Sequence, residues 1–441
     1  MTQIQTEAPD TEDAQPAGLA ARRAAMKTLV AILDRHQSLD DAVNQNNTLK
    51  AMPANDRAFA RLLVNTVLRR LPEIDLAFQK FLGRPLPKNP KELSQLLRTG
   101  TAQLLFLNTP PHAVVDTSVA LANEFQNKKF KGLVNAILRK VAAIKSKPGN
   151  PAKLNTPDWL WQIWVDQYGE EEATAIGLQH LAQPPIDISA KEDPAFWAKS
   201  LNAELLPTGT IRRTERGRPS EWAGFEEGRW WIQDAAAALP VKLLGPIAGK
   251  TVIDLCAAPG GKTAQLVNSG AAVTAVDISK NRLSRLESNL SRLQLPANTI
   301  VADLRDWRPN DLADIVLLDA PCTATGTCRR HPDILRLRNE SDVVKLAAIQ
   351  SSLLDAAAEM TVPGGSLLYI TCSLQPEEGT YQISSFLDRH SNYQRTQFDT
   401  SACATLESAI SDDGSLRTLP SYWADHGGMD GFFAVALKRV L

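Results

Sequence analysis

From Ala20 to about Lys145, apolar residues return every three or four positions, as in Leu93, Leu96 and Leu97 and again in Leu133, Val134, Ile137, Leu138 and Val141. At 3.6 residues per turn this spacing gathers them on one face, so the pattern predicts amphipathic helices packed on one another. Pro72, Pro85, Pro87, Pro90, Pro110 and Pro111 fall between the runs. A residue without an N–H and with a fixed φ ends one helix and leads into the next, so region 21–145 is expected to be an all-α bundle. Residues 1–20, rich in Thr, Gln, Asp, Pro and Ala without periodicity, read as a disordered tail. Ser146 to Pro151 (SKPGNP) reads as a linker, and an amphipathic helix follows from Trp159 to Tyr168. The stretch 184–232 mixes a strand at Ile186 to Ser189, an Arg-rich loop (Arg212, Arg213, Arg216, Arg218) and an aromatic run ending in Trp230 and Trp231. Region 146–235 is therefore expected to hold the linker helix and a small α+β subdomain.

Beyond Gly249 the period changes. Short apolar runs at Thr251 to Leu255, Val273 to Asp277, Thr299 to Asp303, Asp314 to Asp319 and Ser366 to Thr371 are mostly separated by helical stretches. Strands buried on both faces and alternating with helices signal an α/β, doubly wound parallel sheet over 236–441. Gly431 to Arg439 adds a last strand, expected as an antiparallel edge.

The 441 residues, 44% hydrophobic and 22% charged, exclude a minimal disulfide scaffold and a wholly disordered chain. No uncharged apolar run approaches 18 residues, and acidic residues precede the first basic one, Arg22, so neither a membrane span nor a secretory signal is expected and the cytoplasm is the expected compartment. Five cysteines with no C-x-x-C pair argue against a zinc knuckle and leave thiol chemistry open. The net charge of −1 is unevenly spread: region 21–145 has 20 basic and 9 acidic residues, the remainder 28 and 40. A segment at +11 suits contacts with nucleic-acid phosphates.

In an open parallel sheet, ligands bind beyond the carboxyl ends of the strands, so the residues just after each strand carry the chemistry. The first run is followed by Cys256, Ala257, Ala258, Pro259, Gly260, Gly261 and Lys262, a turn whose glycines let a ligand reach the backbone at a helix start. A nucleotide P-loop is disfavoured, because Cys256 stands where that motif requires glycine. Asp277 ends the second run and Asp303 the third. Either alone could cap a helix, but carboxylates on successive strands beside a glycine turn favour a cofactor containing a nucleoside. Asp319-Ala-Pro-Cys322 ends the fourth run and Thr371-Cys372-Ser373 the fifth, which sets two cysteines at the mouths of neighbouring strands beside a carboxylate. Cys256, Cys328 and Cys403 read mainly as buried small hydrophobes. Arg329, Arg330, His331, Arg336 and Arg338 are expected to meet phosphates, and Trp230 and Trp231 to be core or to stack on bases.

DLCAAPGGKT, VDIS, ADLRDW, LLDAPCTATGTCRRHPD, LLYITCSLQPEE and GMDGFFAVALKR together resemble the ordered motifs of the RNA 5-methylcytosine methyltransferases of the Sun/Fmu family. GRWWIQDAAAAL, at 228–239, is similar to the Gln-Asp motif that opens their catalytic domain. RAFARLLVNTVLRR and GLVNAILRK resemble the NusB-like domain of the bacterial 16S ribosomal RNA member. The resemblance covers about residues 20–441. Gly379, where Asn is common, and Ala236, where Ser is common, depart from the pattern.

The resemblance implies a Rossmann-like domain that uses S-adenosylmethionine and no metal. Within it, Cys256 to Lys262 line the methionine and sugar, Asp277 takes the ribose hydroxyls and Asp303 lies at the adenine. It also implies that Cys372 attacks carbon 6 of a cytosine, that Asp319 hydrogen-bonds the base edge, and that Cys322 assists release. The Pro-Cys nucleophile of DNA cytosine methyltransferases is accompanied by a later Glu-Asn-Val, which this chain lacks. The expected partner is RNA, foremost 16S ribosomal RNA before full subunit assembly, and the expected state a monomer. Transfer RNA, large-subunit RNA or a non-catalytic assembly role are the competing readings.

Overall fold

The computed structural model describes residues 18–124, 128–145, 149–400 and 408–440. Most of the predicted tail and half of the SKPGNP linker lie outside the described residues. Two compact units divide after Asn155.

Among its described residues the first unit has helices and no strand. Its longer helices, Leu19–Arg35, Ala54–Arg69, Lys91–Phe106, Pro111–Glu124 and Lys131–Ala142, turn Met26, Leu29, Ile32, Leu63, Leu97, Ile137 and Leu138 into a common core. Gly100 is the point of closest approach: a Cβ there would come within 2.8 Å of the Leu138 side chain, so any larger residue would push two helices apart. Arg22 is buried in this core, and its Nε donates to Gln103 Oε1 at 2.8 Å.

The second unit begins with the helix Asp158–Leu181, which runs well past the predicted Tyr168 and kinks at Gly169 (φ 84°). A small antiparallel sheet follows, with β1 (Ile186–Ala190), β2 (Glu204–Leu205), β3 (Ile211–Arg213) and β4 (Trp230–Ile232) in the order β2-β3-β1-β4. Arg212 and Arg213 therefore lie on a strand and not in the predicted loop. Trp230 and Trp231 are buried, which removes the base-stacking reading.

The main sheet contains β5 (Thr251–Leu255), β6 (Ala272–Asp277), β7 (Asn298–Val301), β8 (Ala313–Asp319), β9 (Thr361–Thr371), β10 (Tyr393–Thr396), β11 (Leu416–Thr418) and β12 (Phe432–Arg439). Its order is β10-β12-β9-β8-β5-β6-β7, and β11 also pairs with β12. Strands β5 to β9 are mutually parallel, and β12 runs antiparallel to β9. β12 is not the edge expected from sequence. Six of its eight residues are buried, and β10 and β11 pair along its outer side, satisfying backbone groups that an edge would leave open. Helices cover both faces. Leu353, Leu354, Ala357, Ile383 and Phe386 pack on one, and Leu239, Val241 and Leu266 on the other.

A cluster of six charged side chains ties the small sheet to the loops of the large one. Arg212 forks onto Asp187 with two contacts of 2.7 Å, and both side chains are fully buried. Arg329 bonds Asp430 at 2.7 Å and Asp234 at 2.9 Å, and Arg330 reaches Asp234 at 2.5 Å and Asp430 at 3.2 Å. Burial alone would raise the Asp234 carboxyl, but the Arg330 and Arg329 guanidiniums outweigh it and hold the group below its ordinary range. Arg329 and Arg330, expected at substrate phosphates, are thus committed to internal carboxylates. A buried guanidinium needs such partners more than an RNA backbone needs two extra cations. The cluster pins the chain after Cys322 and the approach to β12. Removing one charge strands the opposite ones, so Arg329→Ala is expected to destabilise this unit by about 3–5 kcal/mol. Urea unfolding followed by tryptophan fluorescence measures this, and an unchanged midpoint would mean the cluster adds nothing.

Candidate active site

The turn Cys256 to Gly260 is built to bring backbone, not side chains, to the sheet's carboxyl end. Cys256 adopts φ 59° and Gly260 φ 100°. A Cβ at Gly260 would meet Leu286 Cγ at 2.8 Å, so only glycine fits before the helix Gly261–Asn268. Ala257 N–H donates to Val276 O, tying the turn to β6. Burial, followed by the Asp319 and Asp277 charges, pushes the Cys256 thiol up to about 12, so it stays neutral at pH 7.

Asp277, at the end of β6, is buried and holds the same turn. Its Oδ2 accepts from Ala258 N at 3.2 Å and its Oδ1 from Ser279 N at 2.9 Å. Arg282 completes the bracket by donating to Ala258 O at 2.5 Å. Beside it Ile278, an apolar residue, is 64% exposed, and Val301 at the end of β7 is 51% exposed. Two exposed apolar side chains at strand ends next to a carboxylate offer a surface for a flat ring.

Asp303 is not at a strand end. β7 stops at Val301, and Asp303 lies two residues on, ion-paired with Arg305 at 2.5 Å. Hydrogen bonds from Arg305 hold its carboxyl down at about 2.

At the centre of the sheet, β8 and β9 bring the predicted chemistry together. Asp319 pairs in register with Ile370, so the two chains leave the sheet at the same level. Cys322 Sγ and Cys372 Sγ are 3.4 Å apart. The hydrogen bond with Cys372 and then burial push the Cys322 thiol well above its ordinary value. Either sulfur can donate in this contact, and Cys372 is the more exposed of the two residues. Lys262 Nζ donates to Asp319 Oδ2 at 2.8 Å. Burial works to lower the Lys262 ammonium, but Asp319 outweighs it and keeps the group above its ordinary value. Lys262, expected to line the cofactor, thus belongs equally to the Asp319 and thiol group.

Sequence reasoning passed over two side chains here. Arg417 Nη1 donates to Ser373 O at 2.5 Å and lies over the Phe433 ring. Glu378, in the PEE run, is fully buried beneath both cysteines. A charged residue so soon after the second cysteine was the available signal.

Asp254 lies at the root of the glycine turn. Its Oδ2 accepts from Thr263 Oγ1 at 2.6 Å, and its buried Oδ1 has no hydrogen-bond partner among the described residues. The residues present suit a nucleoside cofactor: a glycine whose Cβ would collide, a backbone turn at a helix start, and a strand-end carboxylate beside exposed apolar side chains. The parallel sheet with an antiparallel β12, together with this turn, defines a Rossmann-like S-adenosylmethionine-dependent methyltransferase.

The family model described as 16S rRNA methyltransferase RsmB/F matches residues 241–438, and that of the NusB family matches residues 19–143. Ribosomal RNA small subunit methyltransferase B of Yersinia enterocolitica is 34% identical over 395 residues, 84% of this chain and 90% of that one. Its Yersinia pseudotuberculosis counterpart is 34% identical over 407 residues, 86% and 93% of the two chains. The chain belongs to the ribosomal RNA small subunit methyltransferase B family. Among solved structures, PH0851 aligns with a TM-score of 0.76 over 96% of this chain and 99% of that one at 22% identity. A methyltransferase homologue from Pyrococcus horikoshii gives 0.55 over 66% and 98% at 26% identity.

Burial lifts the Asp254 carboxyl from 3.8 to about 7, against the Thr263 hydrogen bond that lowers it, with Asp319 adding to the rise. The folded protein keeps this proton up to about pH 7, whereas the unfolded chain releases it near pH 4. Stability is therefore full below pH 4, declines as pH rises toward 7, and levels above it. Asp254→Asn removes that decline. Its stability relative to the parent is expected to rise between pH 4 and 7 by on the order of 3 kcal/mol. Parallel denaturation curves at the two pH values measure this, and an equal difference at both would show that Asp254 ionises normally.

Proposed function

We propose that this protein methylates carbon 5 of a cytosine in 16S ribosomal RNA through a covalent cysteine adduct, acting in the cytoplasm before subunit assembly buries the base. The observation that carries this reading is the 3.4 Å contact of two inequivalent thiols beside the Lys262–Asp319 pair. S-adenosylmethionine supplies the electrophilic methyl group when bound. The turn Cys256 to Gly261 would hold its methionine and sugar, Asp277 the ribose hydroxyls, and Ile278 and Val301 the adenine faces. Asp303, paired with Arg305, would border the adenine from the exposed side.

Carbon 5 of cytosine is a poor nucleophile until a thiolate adds at carbon 6. Cys372 is the sulfur suited to add, because it is the less buried of the two and an S–H donated from Cys322 across 3.4 Å would stabilise its thiolate. Asp319 would accept from the exocyclic amine of the base, and Lys262 beside it would balance the charge that develops on addition. Once Cys372 is bonded to carbon 6 it is a neutral thioether. After methyl transfer Cys322, 3.4 Å from that sulfur, would give its own proton to solvent and, as the thiolate, take the carbon 5 proton. Loss of that proton expels Cys372 and restores the base. The base must leave its stack to reach sulfurs set at the strand ends.

The first unit would supply the RNA contacts. Lys80, Lys140 and Lys145 surround Phe81, with the Lys80 and Lys140 ammoniums 5.1 and 5.8 Å from its ring. Cations grouped with an aromatic suit a sugar-phosphate backbone and an unstacked base.

Mapping 5-methylcytosine in total RNA from cells with and without the gene tests the substrate. One mark missing from 16S ribosomal RNA is expected, and loss confined to transfer RNA would replace the substrate and keep the chemistry. The thiols are tested separately with labelled RNA and S-adenosylmethionine on denaturing gels. Cys372→Ala is expected to lose methylation and adduct together. Cys322→Ala is expected to transfer the methyl group and remain bonded to RNA. A stable adduct from Cys372→Ala and none from Cys322→Ala would make Cys322 the nucleophile.

A further inference from the structure

Beneath the two thiols lies a carboxyl group that the chemistry above does not use. Glu378 follows β9 by seven residues and is fully buried. Among the described residues it has no ion-pair partner, so its presence is not explained by a buried cation. It accepts four hydrogen bonds, all from neutral donors. Oε1 accepts from Thr323 N at 2.9 Å and from Gln350 Nε2 at 3.0 Å. Oε2 accepts from Ser373 Oγ at 2.5 Å and from Thr323 Oγ1. Thr323 is the residue after Cys322, and Ser373 is the residue after Cys372. One carboxyl group therefore grips the chain immediately beyond both sulfurs.

The surrounding bonds make this grip rigid. Gln350 Nε2 also donates to Pro321 O at 3.0 Å, on the other side of Cys322. Tyr369 Oη and Thr371 Oγ1, both on β9, donate to the Glu378 carbonyl at 3.0 and 3.1 Å, fixing the backbone from which the side chain reaches. Burying an acid without a cation costs free energy that a neutral side chain would avoid. What the acid adds is acceptor capacity: two oxygens can satisfy four donors converging from two loops, which an amide cannot do without turning its N–H groups toward donors.

We infer that Glu378 is a positioning residue that clamps Thr323 and Ser373 and thereby sets the separation and orientation of the Cys322 and Cys372 sulfurs. The inference rests on the reading of these thiols as the reacting groups. It extends that reading to a buried residue beneath the reacting groups. Displacing reacting atoms by even about 1 Å can cost about 100-fold in rate, so a clamp on two loops is a sensitive point of control.

The test uses the full chain and begins without RNA. Diamide joins two adjacent thiols by accepting two electrons and two protons on its azo bond, leaving a hydrazine and an S–S bond. In the parent protein it is expected to link Cys322 to Cys372, with the linked peptides identified by mass spectrometry. Glu378→Gln is expected to slow this link about tenfold while S-adenosylmethionine affinity stays within about twofold. In a Thr323→Val, Ser373→Ala background the same change is expected to add less than about twofold, because without the Ser373 hydroxyl the carboxyl no longer bridges the two loops, although Thr323 N and Gln350 still donate to it. Equal slowing in both backgrounds, or a parental rate for Glu378→Gln, overturns the inference. If Glu378→Gln does not fold, Thr323→Val and Ser373→Ala taken singly decide between the outcomes, each slowing the link if the clamp exists and neither if it does not. With RNA, Glu378→Gln is expected to lower kcat about 10–100-fold with KM for S-adenosylmethionine unchanged. A parental kcat overturns the inference. If the parent methylates no cytosine while the link still slows in Glu378→Gln, the proposed reaction fails and the clamp stands.

Discussion

The parallel pairing of β8 with β9 is the constraint on which the site depends. Asp319 lies opposite Ile370, so two strands that are 42 residues apart at their adjoining ends leave the sheet at one level. Every group of interest hangs from that level. The two sulfurs come into contact, Asp319 faces Lys262 from the neighbouring helix, and Glu378 closes beneath them. A shift of one residue in this register would turn Asp319 to the other face and separate the thiols, because side chains alternate across a strand.

Around that register, buried polar groups fix what hydrophobic packing leaves loose. Apolar contacts are non-directional, and the cores on the two faces of the sheet would tolerate small shifts of the loops above them. Hydrogen bonds and ion pairs are directional. The six-charge cluster of Asp187, Arg212, Asp234, Arg329, Arg330 and Asp430 anchors the chain after Cys322, and the Asp277 bracket anchors the glycine turn. With the hydrogen bonds of Glu378, the site is thus held by three separate polar networks standing on one continuous sheet.

The two thiols illustrate how position alone can differentiate identical groups. Both are cysteines at strand ends, yet Cys322 is buried and Cys372 more exposed. Burial penalises the thiolate, and two sulfurs in contact cannot both carry charge at little cost. When one of the two ionises, the less costly arrangement leaves the proton on the buried member.

Much of this was legible in the sequence because it depends on short-range regularities. The change from a 3.6-residue to a strand-like period at Gly249 announced a helical bundle before a doubly wound sheet. The motifs DLCAAPGGKT, DAPC and TCS fell at strand ends because strand length and turn chemistry are local. Asp319, Cys322, Cys372 and Asp277 are accordingly legible in the sequence as candidate site residues. What could not be read was which side chains meet across the sheet. Arg329 and Arg330 look like phosphate contacts in sequence, and only the fold supplies Asp234 and Asp430, at separations of about 100 residues, to neutralise them. Glu378 is an ordinary acid in a PEE run until the fold sets it under two loops. Asp303 ends an apolar run in the sequence, but β7 stops at Val301 and the carboxylate turns to Arg305. Local periodicity follows from backbone geometry and is written along the chain. The partner of a buried charge is set by long-range packing, and only the tertiary structure decides it.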